Sequence, residues 1–148
     1  MTDWNAMPDE DFRREVRAFY EANYPQALRN TLRYLNWEEV KDWYAKLSAR
    51  GWAAPAWPVE HGGMGLDAGK QLIYHEERLD VSRGPDFGGV VMFGPVLIQF
   101  GTDEQKRHYL PKVLSGEHRW AQGYSEPGAG SDLAGVRTEA VADGDDFV

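Results

Sequence analysis

The chain contains no cysteine in 148 residues, which excludes disulfides, thiolate nucleophiles and cysteine-based zinc sites. Long apolar runs are missing too. No stretch reaches the length of a membrane span or a secretory hydrophobic core, and the opening Met1-Thr2-Asp3-Trp4 is polar and acidic. A cytoplasmic protein with no membrane partner is expected. Basic residues are in deficit, 16 Lys and Arg against 24 Asp and Glu for a net charge of −8, so the broad positive face that nucleic acid requires is not expected. Arg13, Arg14 and Arg17 form only a small local cluster. His61, His75, His108 and His118 have no i,i+4 pairing and no cysteine partners, so no metal site is expected.

What is present reads first as helix. Phe12, Val16, Phe19 and Tyr20 recur at helical spacing between Asp9 and Asn23, and Pro25 closes the segment. Asn36 followed by Glu39 has capping-box character; Trp37, Val40, Trp43, Tyr44 and Leu47 then make an apolar face that Gly51 stops. Asp67 caps a predicted third helix carrying Leu72, Ile73, Glu76 and Leu79. In His75-Glu76-Glu77 the spacing predicts a solvated charged face with Glu76 partly buried, not an acid-base pair. An apolar segment runs from Gly88 to Phe100 through Gly94-Pro95. Thr102 with Gln105 opens a fifth helix, and Pro111 begins a short sixth that Gly116 ends. Beyond Gly116 the period is lost. Arg119 to Ser125 reads as a strand, and Val136 to Val141 with Phe147-Val148 flank the hairpin chemistry of Asp143-Gly144-Asp145. The expected architecture is mainly α: a helical bundle over 1–117, then from 118 the first strands of a β domain that breaks off inside a strand at Val148.

The densest chemistry lies in Tyr124-Ser125-Glu126-Pro127-Gly128-Ala129-Gly130-Ser131-Asp132. Pro127 fixes one angle, Gly128 and Gly130 permit positive φ and close approach of a ligand to the main chain, and Ser125 and Ser131 supply hydroxyls. Neither this run nor Gly62-Gly63-Met64-Gly65 fits a dinucleotide fingerprint, because Leu133 stands where a third glycine belongs and no βαβ unit surrounds either. Glu126, beside Pro127, reads as a turn carboxylate that accepts backbone hydrogen bonds. Trp37 and Trp43 read as core; Trp52 and Trp57 fit either an apolar pocket or plain packing.

Ser125 to Asp132 resembles the flavin-binding signature of the acyl-CoA dehydrogenases, and further matches follow in the family's order. These are Gly51-Trp52 with Pro58 to Leu66, Gly94-Pro95, Phe100 to Lys106, Tyr109-Leu110-Pro111 and Ser115-Gly116-Glu117. The resemblance implies FAD as cofactor and α,β-dehydrogenation of an acyl-CoA thioester in lipid metabolism. An electron-transfer acceptor protein and a homo- or hetero-oligomer are implied as partners. By position, Ser125 is implied near flavin N5 and O4, Gln122 and Tyr124 along the flavin, and Gly130 and Ser131 in the turn that meets flavin, with Ser131 also meeting the CoA arm. The family's catalytic glutamate has no counterpart here, so these residues alone are not expected to form a complete catalyst. An acyl-CoA oxidase and a non-catalytic partner subunit remain open as alternatives.

Overall fold

The computed structural model describes residues 2–81 and 88–148. Among these residues five α-helices follow one another: α1 Asp9–Asn23, α2 Trp37–Arg50, α3 Ala68–Val81, α4 Gly94–Phe100 and α5 Asp103–Ser115. A π-helical turn, Gly89–Phe93, runs directly into α4, and a two-stranded hairpin, β1 Ala142–Asp143 with β2 Asp146–Phe147, ends the chain. The helices begin where side chains satisfy the free amides of a first turn. Asn36 and Glu39 form a reciprocal capping box on α2, Thr102 and Gln105 form another on α5, and Asp67 accepts from the Lys70 amide at 2.8 Å. Gly51 and Gly116 end α2 and α5 with φ of 76° and 78°, the left-handed region where a Cβ is penalised.

Two apolar clusters fill the bundle. Phe12, Val16 and Tyr20 of α1 pack with Trp43 and Leu47 of α2, Trp52, and Ile73 and Tyr74 of α3. Within this cluster the Tyr20 hydroxyl donates to Tyr74 Oη at 2.9 Å, which donates to the Trp52 carbonyl at 2.8 Å, so both buried hydroxyls are paired. Burial pushes the Tyr20 phenol up to about 12. The second cluster joins Ala54, Trp57, Val90, Leu97, Leu110 and Val113.

Four expectations are corrected. Helix α3 buries Lys70, Ile73, Tyr74 and Glu77, whereas Leu72, Leu79 and Glu76 are exposed. The inner face carries charge because α1 supplies its partners. Arg13 and Arg17 donate to Glu77 at 2.6–2.9 Å, and Lys70 donates to the Met7 carbonyl and to Asp9. Pro111 does not open a sixth helix but lies inside α5; it and Arg107 are exposed, so water can satisfy the carbonyl whose donor the proline removes. Arg119 to Ser125 forms no strand, since among the described residues no neighbouring backbone pairs with it. The hairpin is shorter than Val136 to Val148 allows: Ala142 pairs Phe147 and Asp143 pairs Asp146, with Val141 and Val148 exchanging two further backbone bonds. Gly144, with φ of 65°, takes the first central position of its two-residue turn.

Candidate functional site

After Gly116 the chain turns back and lays Trp120 to Tyr124 beside the π-turn and α4. Met92, Phe93, Val96 and residues 120–124 thereby line an open groove of about 480 Å³. Its register is set by aromatic contact. Trp120 stacks on Phe93 with ring centroids 3.5 Å apart and planes 9° from parallel, and meets Tyr109 edge-on. The same packing buries the Trp120 indole Nε1 with no hydrogen-bond partner. A buried donor left unpaired costs about 1–3 kcal/mol, so this indole is a weak point in the packing beside the groove.

Beyond Tyr124 lies the glycine-rich turn. Ala129 donates to the Glu126 carbonyl at 3.1 Å, closing a β-turn with Pro127 and Gly128 at its centre. Neither Gly128 nor Gly130 has positive φ, so the backbone freedom that glycine permits is not used in this turn. At Gly123, Gly128 and Gly130 an added Cβ meets nothing within 4 Å. Neither the backbone nor the packing of this chain therefore requires glycine there, and the open space leaves room for a group to lie against the main chain.

Glu126 holds the turn in place. Its carboxylate accepts from the Arg137 amide, from the Thr138 amide at 2.7 Å and from the Thr138 hydroxyl. Those bonds, the Thr138 hydroxyl first and then the Arg137 and Thr138 amides, hold its pKa below the ordinary carboxylate value. A carboxylate so engaged is a poor proton acceptor. Glu126→Gln in a flavin-loaded enzyme is therefore expected to keep turnover within about tenfold, checked by steady-state kinetics at equal flavin content. Loss of several orders of magnitude would make Glu126 the base after all.

Of the residues implicated by resemblance, Gln122 and Tyr124 line the groove, and Ser125, Gly130 and Ser131 are exposed in the turn that follows. The other constellations lie elsewhere. His75, Glu76 and Glu77 sit on α3 and do not line the groove; Trp52 and Trp57 are buried in the two core clusters. No group of three metal-binding side chains occurs among the described residues.

The model of the acyl-CoA dehydrogenase N-terminal domain matches residues 8–117. The chain belongs to this family. Acyl-CoA dehydrogenase FadE26 of Mycobacterium tuberculosis is 38% identical over 144 residues, covering 94% of this chain and 36% of that protein. The ChsE4–ChsE5 complex of the same organism superposes with a TM-score of 0.79 at 38% identity, over 95% of this chain and 36% of that one. The Tcur3481–Tcur3483 steroid acyl-CoA dehydrogenase superposes with a TM-score of 0.79 at 37% identity, over 100% of this chain and 39% of that one. The chain thus spans little more than a third of the length of these relatives.

Several members of the groove escape a reading of the sequence. Met92, Phe93 and Val96 look like any apolar helix, and the break at Gly94-Pro95 hides the change of helical register beneath them. Trp120, two residues before Gln122, was the available signal, because so large a ring beside a glycine-rich loop needs a surface to pack on.

Proposed function

We propose that this chain supplies the flavin-facing half of an FAD-dependent α,β-dehydrogenation of an acyl-CoA thioester, in the cytoplasm. A helical unit over 1–117 and the start of a β unit from 118 would divide the work. The observation that carries this reading is the turn at Glu126–Ala129, whose adjoining glycines are free of any requirement from their own fold, beside an apolar groove with an unpaired indole donor. FAD bound there would accept the hydride from Cβ of the acyl group as the Cα proton leaves to a base supplied elsewhere in the assembly. Gln122 and Tyr124 would line the ring system. The Ser125 hydroxyl would donate near N5 and O4, where negative charge grows on reduction, and Gly130 and Ser131 would meet the flavin and CoA arms.

A partner subunit belongs to the same proposal. Similarity to two structures that are each a complex of two proteins supports a hetero-oligomer, in which this chain either shares the chemistry or completes a catalytic neighbour. One of those relatives is a steroid acyl-CoA dehydrogenase, which favours a bulky acyl substrate over a short chain. Electrons would pass on to an acceptor protein.

The reading is tested with the assembled, flavin-containing protein. Ser125→Ala removes a bond that strengthens on reduction. A charge-assisted hydrogen bond contributes about 1.5–3 kcal/mol and 30 mV corresponds to about 1.4 kcal/mol in a two-electron couple, so the flavin potential should fall by some tens of millivolts. Ser125→Thr should preserve it. Gly130→Ala should leave the fold intact and weaken flavin retention, read from absorbance in the flavin bands. Unchanged potential and unchanged flavin content in both variants would remove the cofactor from these residues.

A further inference from the structure

The segment Gly89–Phe93 is wound as a π-helix, in which a carbonyl pairs with the amide five residues on, and Gly94 N–H accordingly donates to the Gly89 carbonyl. This register creates a defect one residue later. The Val90 carbonyl should pair with the amide of residue 95, but residue 95 is proline and has none; the alternative donor, Gly94, is already taken by Gly89. Val90 is buried, 8% exposed, so water is a poor substitute. The bond comes instead from 33 residues away: the Trp57 indole N–H donates to Val90 O at 2.9 Å in a buried contact. The indole reaches that carbonyl by lying against Gly94, where an added Cβ would stand 1.8 Å from Trp57 Cζ2.

We infer that Trp57 is a positioning residue for the groove: its indole N–H replaces the backbone donor that Pro95 removes, and so locks the π-turn in the register that turns Met92 and Phe93 toward Trp120 and Gln122. Trp57 does not itself line the groove, and acts through the carbonyl it holds. A helical register with one extra residue in the turn rotates every following side chain by about 100°, so slipping to ordinary α-helix would carry Met92 and Phe93 out of the wall they form and undo the stacking of Phe93 on Trp120. The functional part of this inference, that the wall of Met92 and Phe93 meets the acyl group while Gln122 and Tyr124 across the groove line the flavin, extends the reading proposed above and rests on it.

The test uses the full chain with ¹³C-methyl methionine and amide exchange at Gly94. Trp57→Phe keeps a ring and removes the donor; Gly94 exchange should accelerate at least about tenfold and the Met92 methyl resonance should leave its wild-type position. Adding Pro95→Ala supplies a backbone N–H within reach of Val90, so the double variant should recover both signals. If Trp57→Phe does not fold, restoration of the folded spectrum by Pro95→Ala is the expected result. Unchanged Gly94 exchange and Met92 resonance in Trp57→Phe, or a double variant no better than the single one, overturns the inference. A second arm titrates dodecanoyl-CoA: the Met92 methyl should respond in the wild type and require about tenfold more ligand in Trp57→Phe. Equal titrations overturn the positioning role. No response in the wild type, with the exchange results as expected, instead defeats the acyl-groove reading and leaves the lock on the π-turn standing.

Discussion

Gly94→Ala is expected to destabilise the protein by about 3 kcal/mol or more, at the upper end of what overpacking a core produces, and to lower the thermal midpoint by about 10 °C. The sign is opposite to the ordinary rule, under which glycine to alanine within a helix stabilises by roughly 0.5–1 kcal/mol. Here a Cβ would lie 1.8 Å from Cζ2 of Trp57 and 2.6 Å from both Cε2 and Cη2. Trp57 is 2% exposed and tied to the Val90 carbonyl, so relief needs either that bond broken or α4 moved off the second cluster. Gly128→Ala is the matched control, since its Cβ meets open space, and a thermal melt should separate the two by most of that difference. Equal midpoints would mean that Trp57 and α4 are not in this contact in solution.

Glu77→Gln is expected to lose about 3 kcal/mol, the low end of the range for a buried ion pair deprived of one partner, while Glu76→Gln should stay within about 0.5 kcal/mol. The contrast comes from burial. Glu77 is 1% exposed and joins α3 to both Arg13 and Arg17 of α1, whereas Glu76 keeps half of its side chain in water where it meets Arg13. Burial alone would raise the Glu77 carboxyl; the hydrogen bonds from Arg17 and Arg13 outweigh it and hold its pKa below the ordinary 4.5. A carboxyl that titrates lower in the folded than in the unfolded chain binds fewer protons when folded, so its contribution is fully present above the unfolded value and is lost as pH falls through the folded one. Denaturant melts of wild type and Glu77→Gln should therefore differ at pH 7 and converge as the pH drops below about 4. A gap that widens on acidification would show that the arginines do not stabilise the ionised carboxylate.

The sequence by itself determined what depends on neighbours along the chain. The capping boxes at Asn36–Glu39 and Thr102–Gln105, the left-handed stops at Gly51 and Gly116, and the apolar faces of α1 and α2 are read from local spacing, because the groups that satisfy one another lie within a turn or two. The structural role of Glu126 was legible in kind, as a turn carboxylate that accepts backbone hydrogen bonds, but its donors, Arg137 and Thr138, lie 11 and 12 residues on and only the fold brings them to it. Tertiary structure alone decided what depends on a distant partner. Lys70 and Glu77 look like surface charges until α1 brings Asp9, Arg13 and Arg17 against α3, which is why local spacing finds Ile73 on the buried face but points to Leu72, Glu76 and Leu79 rather than to Lys70, Tyr74 and Glu77. Arg119 to Ser125 lacks a helical period, but a strand is defined by its neighbour, and the described residues offer none. The π-turn is the sharpest instance. Gly89 to Phe100 carries no mark of an extra residue in its first turn, because what stabilises that register is an indole from another loop donating to a carbonyl that Pro95 left without a partner.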